Sequence, residues 1–481
     1  MRKSLICFAL LAFITPGSSV LEASVVPDVL FETVFPDYGL AYGRAVVTDE
    51  AGNAYIAGNY HSANHNDIVI SKVDAAGAIL WETPISSSEI DIAQDIILDN
   101  DGSVLVVGFT DSPDFPVTAD GLYTTMAGFR DAFLLRLSAA DGAISYGTFL
   151  GGTHASYGNG VAVAADGTIW LVGSTDSPDF PTSPDAFQPG LGNYQYQYDD
   201  VFVAAIAADG QSLVYSTFLG ASADDTAVGI ALRTDETIVV VGKTNSPDFP
   251  GIDGFQPTLN MNSGDGFAAV IAPDGSALLH ATYFGGELGE VVWGFDLGPD
   301  GSVHVAGLTS SESFPTTPDA VQPVFAGEVD GCEIPFAGDR NCYDGFLARI
   351  SPDLGTLVFG TYMGGEEDDV FDGVAVDADG GVHVSGWSYS PDFPVTSGPA
   401  GPGIIAAQLD RDGTDAQYAV LLDADGSSNT GHAITVGPMG ATVYLTGAKH
   451  VPAQVYVTRL TGAGLLFADG FESGDTAAWT R

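Results

Sequence analysis

Positive charge is what this chain lacks most. Only 14 Lys+Arg stand against 62 Asp+Glu, a formal net charge of −48 at neutral pH. So anionic a surface repels nucleic acid and acidic lipid headgroups and argues against both as partners. It suits solubility, salty surroundings or divalent cations. Long apolar runs are missing as well. No segment reaches the ~20 residues that a membrane-spanning helix needs. The longest, LICFALLAFI (Leu5–Ile14), follows Arg2 and Lys3 and precedes the helix-breaking TPGSS. With LEA before Ser24 as a cleavage site, residues 1–23 read as an export signal, so the protein is expected to be secreted or held at the cell surface. Cysteine is scarce, with three in 481 residues, and Cys7 leaves with the signal. The remaining pair, Cys332 and Cys342 in GCEIPFAGDRNC, is expected to form a local disulfide in an oxidising compartment. Metal binding is the alternative, though two sulfurs without a nearby His pair do not complete a tetrahedral site.

Catalytic signatures are also missing. There is no GxSxG elbow, no HExxH and no phosphate-cradling loop. No catalytic, cofactor-binding or metal-ligating residue is therefore assigned.

What the chain has is repetition. TDSPDFP occupies Thr110–Pro116 and returns at Thr175–Pro181, with TNSPDFP at Thr244–Pro250. Taking the preceding glycine as an anchor gives Gly108, Gly173, Gly242, Gly307 and Gly386, with eroded copies at Gly58 and Gly447. An Asp-Gly turn and a β-branched run lead into most anchors, as in AADGTIWLVG (Ala164–Gly173), a hairpin signature. A loop follows, then a strand such as DVFVAAI (Asp200–Ile206), then a fourth such as VYSTFLGA (Val214–Ala221). Seven units of four strands predict an all-β fold, a seven-bladed β-propeller of antiparallel blades spanning residues 27–461. The fourth-strand pattern first appears at VLFETVF (Val29–Phe35), before any complete unit. The last anchor is followed only by a third-strand match, QVYVTRL (Gln454–Leu460). The amino-terminal strand is therefore expected to complete the last blade and close the ring. Within the motif, Ser-Pro-Asp is turn chemistry, and Phe115, Phe180, Phe249, Phe314 and Phe393 are expected to plug the gaps between neighbouring blades.

This unit closely resembles the SBBP repeat, a bacterial beta-propeller repeat with an aromatic-rich YxTYLGG strand and a GxTxSxDFP segment. Five copies match well and two at the ends are degenerate. The resemblance implies an extracellular or cell-surface scaffold with no shared catalytic set. The final segment LFADGFESGDTAAWTR, within a tail at residues 465–481, resembles a short C-terminal tail of secreted proteobacterial proteins and is read as a sorting tag or a remnant strand.

The function expected on these grounds is a non-enzymatic scaffold for adhesion or ligand binding, monomeric, with an unidentified protein or glycan partner. Its most individual rim surface is the disulfide-bearing insertion Val324–Tyr343. The alternative is a secreted carbohydrate-active hydrolase or lyase using carboxylates at the channel mouth. Loops after the fourth strands carry Glu89 and Asp91, Asp224 and Asp225, Glu290, and Glu366 to Asp369, expected to gather near that mouth, where Ca²⁺ would relieve their repulsion. DNDG at Asp99, DADG at Asp377 and Asp423, and DRDGTD at Asp410 resemble fragments of calcium loops without the bidentate Glu and read as tight turns. His61 and His65, four apart in HSANH, sit in a turn-rich loop. His304 and His383 share the repeat position of Tyr55, Trp170 and Tyr444, a packing slot.

Overall fold

The computed structural model describes residues 29–461 apart from 36–40, 63–64, 194–197, 261–263, 328–331, 335–337, 341, 400, 423–429, 438–441 and 451–452. The segments read as an export signal, residues 1–23, and as a C-terminal tail, residues 465–481, lie outside the described residues. The described chain forms seven four-stranded antiparallel sheets and one small hairpin, Cys332–Ile334 with Gly338–Arg340. No helix among the described residues is long and apolar enough to cross a membrane.

Blade 3 shows the plan: Ser156–Val163, Ile169–Thr175, Asp200–Ile206 and Leu213–Leu219 pair in chain order. The first strand of each blade is innermost. These are Ala41–Thr48, Asp91–Leu98, Ser156–Val163, Asp225–Leu232, Glu290–Leu297, Asp369–Val376 and Thr430–Val436, each packed on its two neighbours, the last touching the first. A lone sheet with two apolar faces cannot hide them, and a ring shields every face. Closure follows the expected route. Val29–Phe35 pairs antiparallel with Ala453–Thr461, from Val29 opposite Leu460 to Phe35 opposite Val455, as the outer strand of blade 7.

Contacts between the two repeat motifs explain both of them. Ser112 Oγ accepts the Glu89 amide at 2.9 Å, and Asp114 Oδ1 accepts the Ser88 amide at 3.1 Å. Ser177 and Asp179 hold His154 and Thr153 in the same way, as do Ser246 and Asp248 for Ala223 and Ser222. Each SPDFP segment thus clips the loop that crosses from the previous blade. Its phenylalanine enters the interface: Phe115 is 3% exposed, its ring tilted against that of Phe133 at 4.5 Å among residues of blades 1 and 2. Truncating such a ring to alanine costs about 3–5 kcal/mol. The glycines closing the fourth strands leave room for these parts. A side chain on Gly152, Gly286 or Gly365 would collide with Ser177, Ser311 or Ser390.

The anchor glycines have a different cause. In every blade the inner strand carries a β-bulge directly beside the anchor, as between Gly158 and Gly160 opposite Gly173. The bulge tips the carbonyl before it into the space of an anchor Cβ: Tyr157 O at Gly173, Val291 O at Gly307, Val370 O at Gly386. Only glycine tolerates that approach.

Candidate functional site: the bulge ring of the central channel

A bulge leaves one residue unpaired and re-aims its side chain. Seven bulges at one height therefore present seven unpaired residues to the axis: Arg44, Gln94, Asn159, Val228, Trp293, Asp372 and His432. Two cavities lie along the channel. One, of about 430 Å³, opens on the side where the inner strands begin. The other, of about 350 Å³, is walled by inner strands of all seven blades. The residues common to both linings are these seven, so the ring forms the waist between the cavities.

Beyond the bulge the inner strands run nearly backbone to backbone. The space for a Cβ on Gly160 is filled by Gly229, and that on Gly294 by Gly373. Two acids stitch the strands there. Asp95 Oδ2 accepts the Val161 amide of the next blade at 3.0 Å, and Asp296 Oδ2 accepts Val376 N at 2.8 Å. These bonds fix the ring that carries the bulges.

The ring divides into three arcs. Asp372, His432 and Arg44 are charged or ionisable neighbours on blades 6, 7 and 1. His432 Nδ1 lies 3.5 Å from Asp372 Oδ2, and its Nε2 lies 2.9 Å from Thr430 Oγ1. Burial pushes Asp372 above the ordinary carboxylate range against the pull of His432 and Arg44. Burial likewise draws Arg44 below its ordinary value, with Asp372 opposing. Gln94 and Asn159 form an amide arc, and Asn159 Oδ1 is buried with no hydrogen-bond partner among the described residues. Val228 and Trp293 form an apolar arc in which the indole is 48% exposed. Tyr157, Asp199 and Lys243 complete the polar wall of the upper cavity. The ring thus lines its polar arcs with donors and acceptors held by the blades.

The acids expected at the mouth are placed differently. Glu89, Glu366 and Glu367 are exposed on the loops of that face, but Asp91, Asp225, Glu290 and Asp369 begin inner strands and are fully buried between blades. All four meet an acid from the neighbouring blade's third strand: Asp91 with Asp67, Asp225 with Asp200, Glu290 with Asp265, Asp369 with Asp344. Glu290 accepts from Thr309 at 2.8 Å and Ser311 at 2.7 Å, while its Oε2 and Asp265 Oδ1 have no partner among the described residues. Gly285, like Gly220 and Gly364, lies where any side chain would strike the pair. Burial pushes Glu290 up to about 7 and Asp265 up to about 6, in each case against the pull of their hydrogen-bond donors, with the Asp265 charge adding to the rise of Glu290. Enclosure between blades disfavours two adjacent charges, and burial pushes Asp200, Asp225, Asp344 and Asp369 up to about 7.

The remaining sequence candidates fall outside the channel. His61 Nδ1 is 3.1 Å from Asn66 Oδ1, and His65 Nδ1 is 3.2 Å from Asp67. His304 and His383 are buried as the packing slot requires, and burial then Arg349 push His304 down to about 3. Cys332 and Cys342 are disulfide-bonded in the loop between the second and third strands of blade 5. With Glu367 they make the one group of three metal-ligating side chains close enough for an ion among the described residues, and their sulfurs are already bonded to each other.

Sequence reasoning missed the bulge ring, although a signal existed. Fourteen residues before most anchors, as from Asn159 to Gly173 or Trp293 to Gly307, the repeat carries a different residue type in every copy.

No protein-family model matches the chain, and no curated protein does. Among solved structures it is similar to a protein of unknown function from Dyadobacter fermentans, at 11% identity and a TM-score of 0.46, covering 90% of this chain and 99% of that one. It is similar to the polysaccharide lyase Uly1, at 8% and 0.48 with the same coverages. A third is the quinohemoprotein alcohol dehydrogenase of Comamonas testosteroni, at 10% and 0.41, covering 90% of this chain and 76% of that one.

Proposed function

We propose that the protein is an exported, non-enzymatic binding scaffold built of SBBP-type repeats, and that it recognises a ligand at the bulge ring. One observation carries this reading: a single structural position holds seven different residue types, and these seven residues wall both channel cavities. Repeat positions that serve stacking stay alike from blade to blade. Binding positions have no reason to, because a ligand on the axis meets each blade at a different atom. The cavity volumes lie in the range of small-molecule sites. The long SPDFP loops and the disulfide-bearing loop stand on the face of the upper cavity and would flank a ligand that reaches beyond it.

Alanine variants at Arg44, Gln94 and Asn159, checked for an unchanged melting midpoint, test the proposal on an array of glycans, peptides and small molecules. The expected result is binding that these variants weaken. Binding indifferent to all three would move recognition off the ring. Turnover of a polysaccharide that His432→Ala abolishes would replace the scaffold with an enzyme.

A further inference from the structure

We propose that the ligand of the ring is an uncharged saccharide, seated with a C–H face against Trp293. This rests on the reading of the ring as a binding site and names its ligand class. Trp293 stands apart from the interface aromatics of the repeat: Phe115, Phe180, Tyr215 and Tyr283 are buried between blades, whereas Trp293 is 48% exposed and lines both channel cavities. Its neighbour Val228 extends the apolar surface, and covering exposed indole is a driving force that a passing solvent molecule cannot supply.

Opposite that patch, five consecutive blades present Asp372, His432, Arg44, Gln94 and Asn159. Most of the circumference is thus polar, with acceptors and donors side by side. A sugar hydroxyl donates and accepts at once and suits such a mixed wall, in which Gln94 and Asn159 supply amides. A flat aromatic ligand would satisfy the indole but leave most of this arc unpaired, which is costly in a narrow site.

Charge excludes the other classes. In the upper cavity two cations, Arg44 and Lys243, stand against two acids, Asp372 and Asp199, so its lining is formally neutral, and to these charges the lower cavity adds only the acids Asp95 and Asp296. An anionic ligand meets these acids and the field of a chain carrying −48. A cation meets Arg44 at the waist and Lys243 above it. A neutral polyhydroxylated ring meets neither penalty.

The test uses the mature chain on an array of neutral and acidic oligosaccharides, with nucleosides and aromatic amino acids titrated in solution as comparators. A neutral saccharide is expected to bind and to change the emission of the wild type but not of Trp293→Phe. Trp293→Ala is expected to weaken binding about tenfold or more, and Asn159→Ala about fivefold, each with an unchanged melting midpoint. Selective, Trp293-dependent binding of an acidic glycan, nucleoside or amino acid would overturn the saccharide assignment and leave the ring as the site. Saccharide binding untouched by both variants would overturn the site as well. Silence across the whole neutral panel would overturn the assignment.

Discussion

Glu290 and Asp265 share one gap buried between blades, and that decides how stability responds to pH. Their raised values, and those of Asp200, Asp225, Asp344 and Asp369 at about 7, mean that the folded protein keeps protons which the unfolded carboxyls release near pH 4. Folding therefore takes up protons between about pH 4 and 7, and the stability these groups contribute is lost as pH rises through that window. Turn acids such as Asp101, Asp235 and Asp274 are held low by hydrogen bonds to Ser103, Thr237 and Ser276, and their contribution is lost only below about pH 4. The melting midpoint should thus be higher at about pH 5.5 than at pH 7.5, opposite to a protein governed by salt-bridged carboxylates. Glu290→Gln should stabilise the protein at pH 7.5 by on the order of 1 kcal/mol and flatten the pH profile. A profile that rises towards pH 7.5 would refute the shared-proton account. A second residue is out of step with its repeat. Glu236 occupies φ 64° where the corresponding turns have Gly52, Gly102, Gly167, Gly301 and Gly380. Glu236→Gly should raise the urea midpoint by an amount worth about 0.5–1 kcal/mol, the strain relieved less the entropy glycine adds to the unfolded chain.

Among elements, the inner strand with its bulge and the amino-terminal strand decide most. Gly173→Ala would push a methyl group onto the Tyr157 carbonyl, so the bulge must shift, at a cost of about 1–3 kcal/mol. Because the bulge aims Asn159, the same substitution should also weaken ligand binding, which separates it from a core mutation far from the axis. Denaturant unfolding beside a binding titration checks both effects. The strand Val29–Phe35 covers the hydrogen-bonding edge of Ala453–Thr461. A chain lacking residues 1–36 would leave that edge open to other chains. It should elute as dimers or larger species on size exclusion and melt at a lower temperature than the intact chain. A monomeric, equally stable truncation would show that the blade does not depend on its borrowed strand.

For the whole molecule, charge opposes compactness. The whole sequence carries a formal −48, and self-repulsion acts through water between the exposed carboxylates of the ring. Few ion pairs offset it. Arg130 with Asp111 at 2.6 Å, Arg136 with Asp99 at 2.7 Å and Arg349 with Asp300 at 2.6 Å are short and local. Raising salt from about 10 mM to about 0.3 M shortens the Debye length from about 30 Å to below 8 Å and should raise the melting midpoint. A fall on adding salt would mean that the local pairs outweigh the global repulsion.

The sequence by itself determined the blade count, the strand order and the closure, because each is written in local chemistry repeated at intervals. Turn residues end strands, β-branched runs build them, and the leftover VLFETVF has one free edge to join. It also marked Phe115, Phe180, Phe249, Phe314 and Phe393 as interface plugs, and they are 2–4% exposed. Tertiary structure alone decided what happens at the axis. Whether Asn159 or its neighbour is the unpaired residue depends on a bulge set by the register between two strands, which the letters do not state. Whether Asp225 and Glu290 reach a channel mouth or a buried partner depends on how adjacent blades pack. Repetition encodes what every blade does alike, and only the closed ring brings together the residues in which the blades differ.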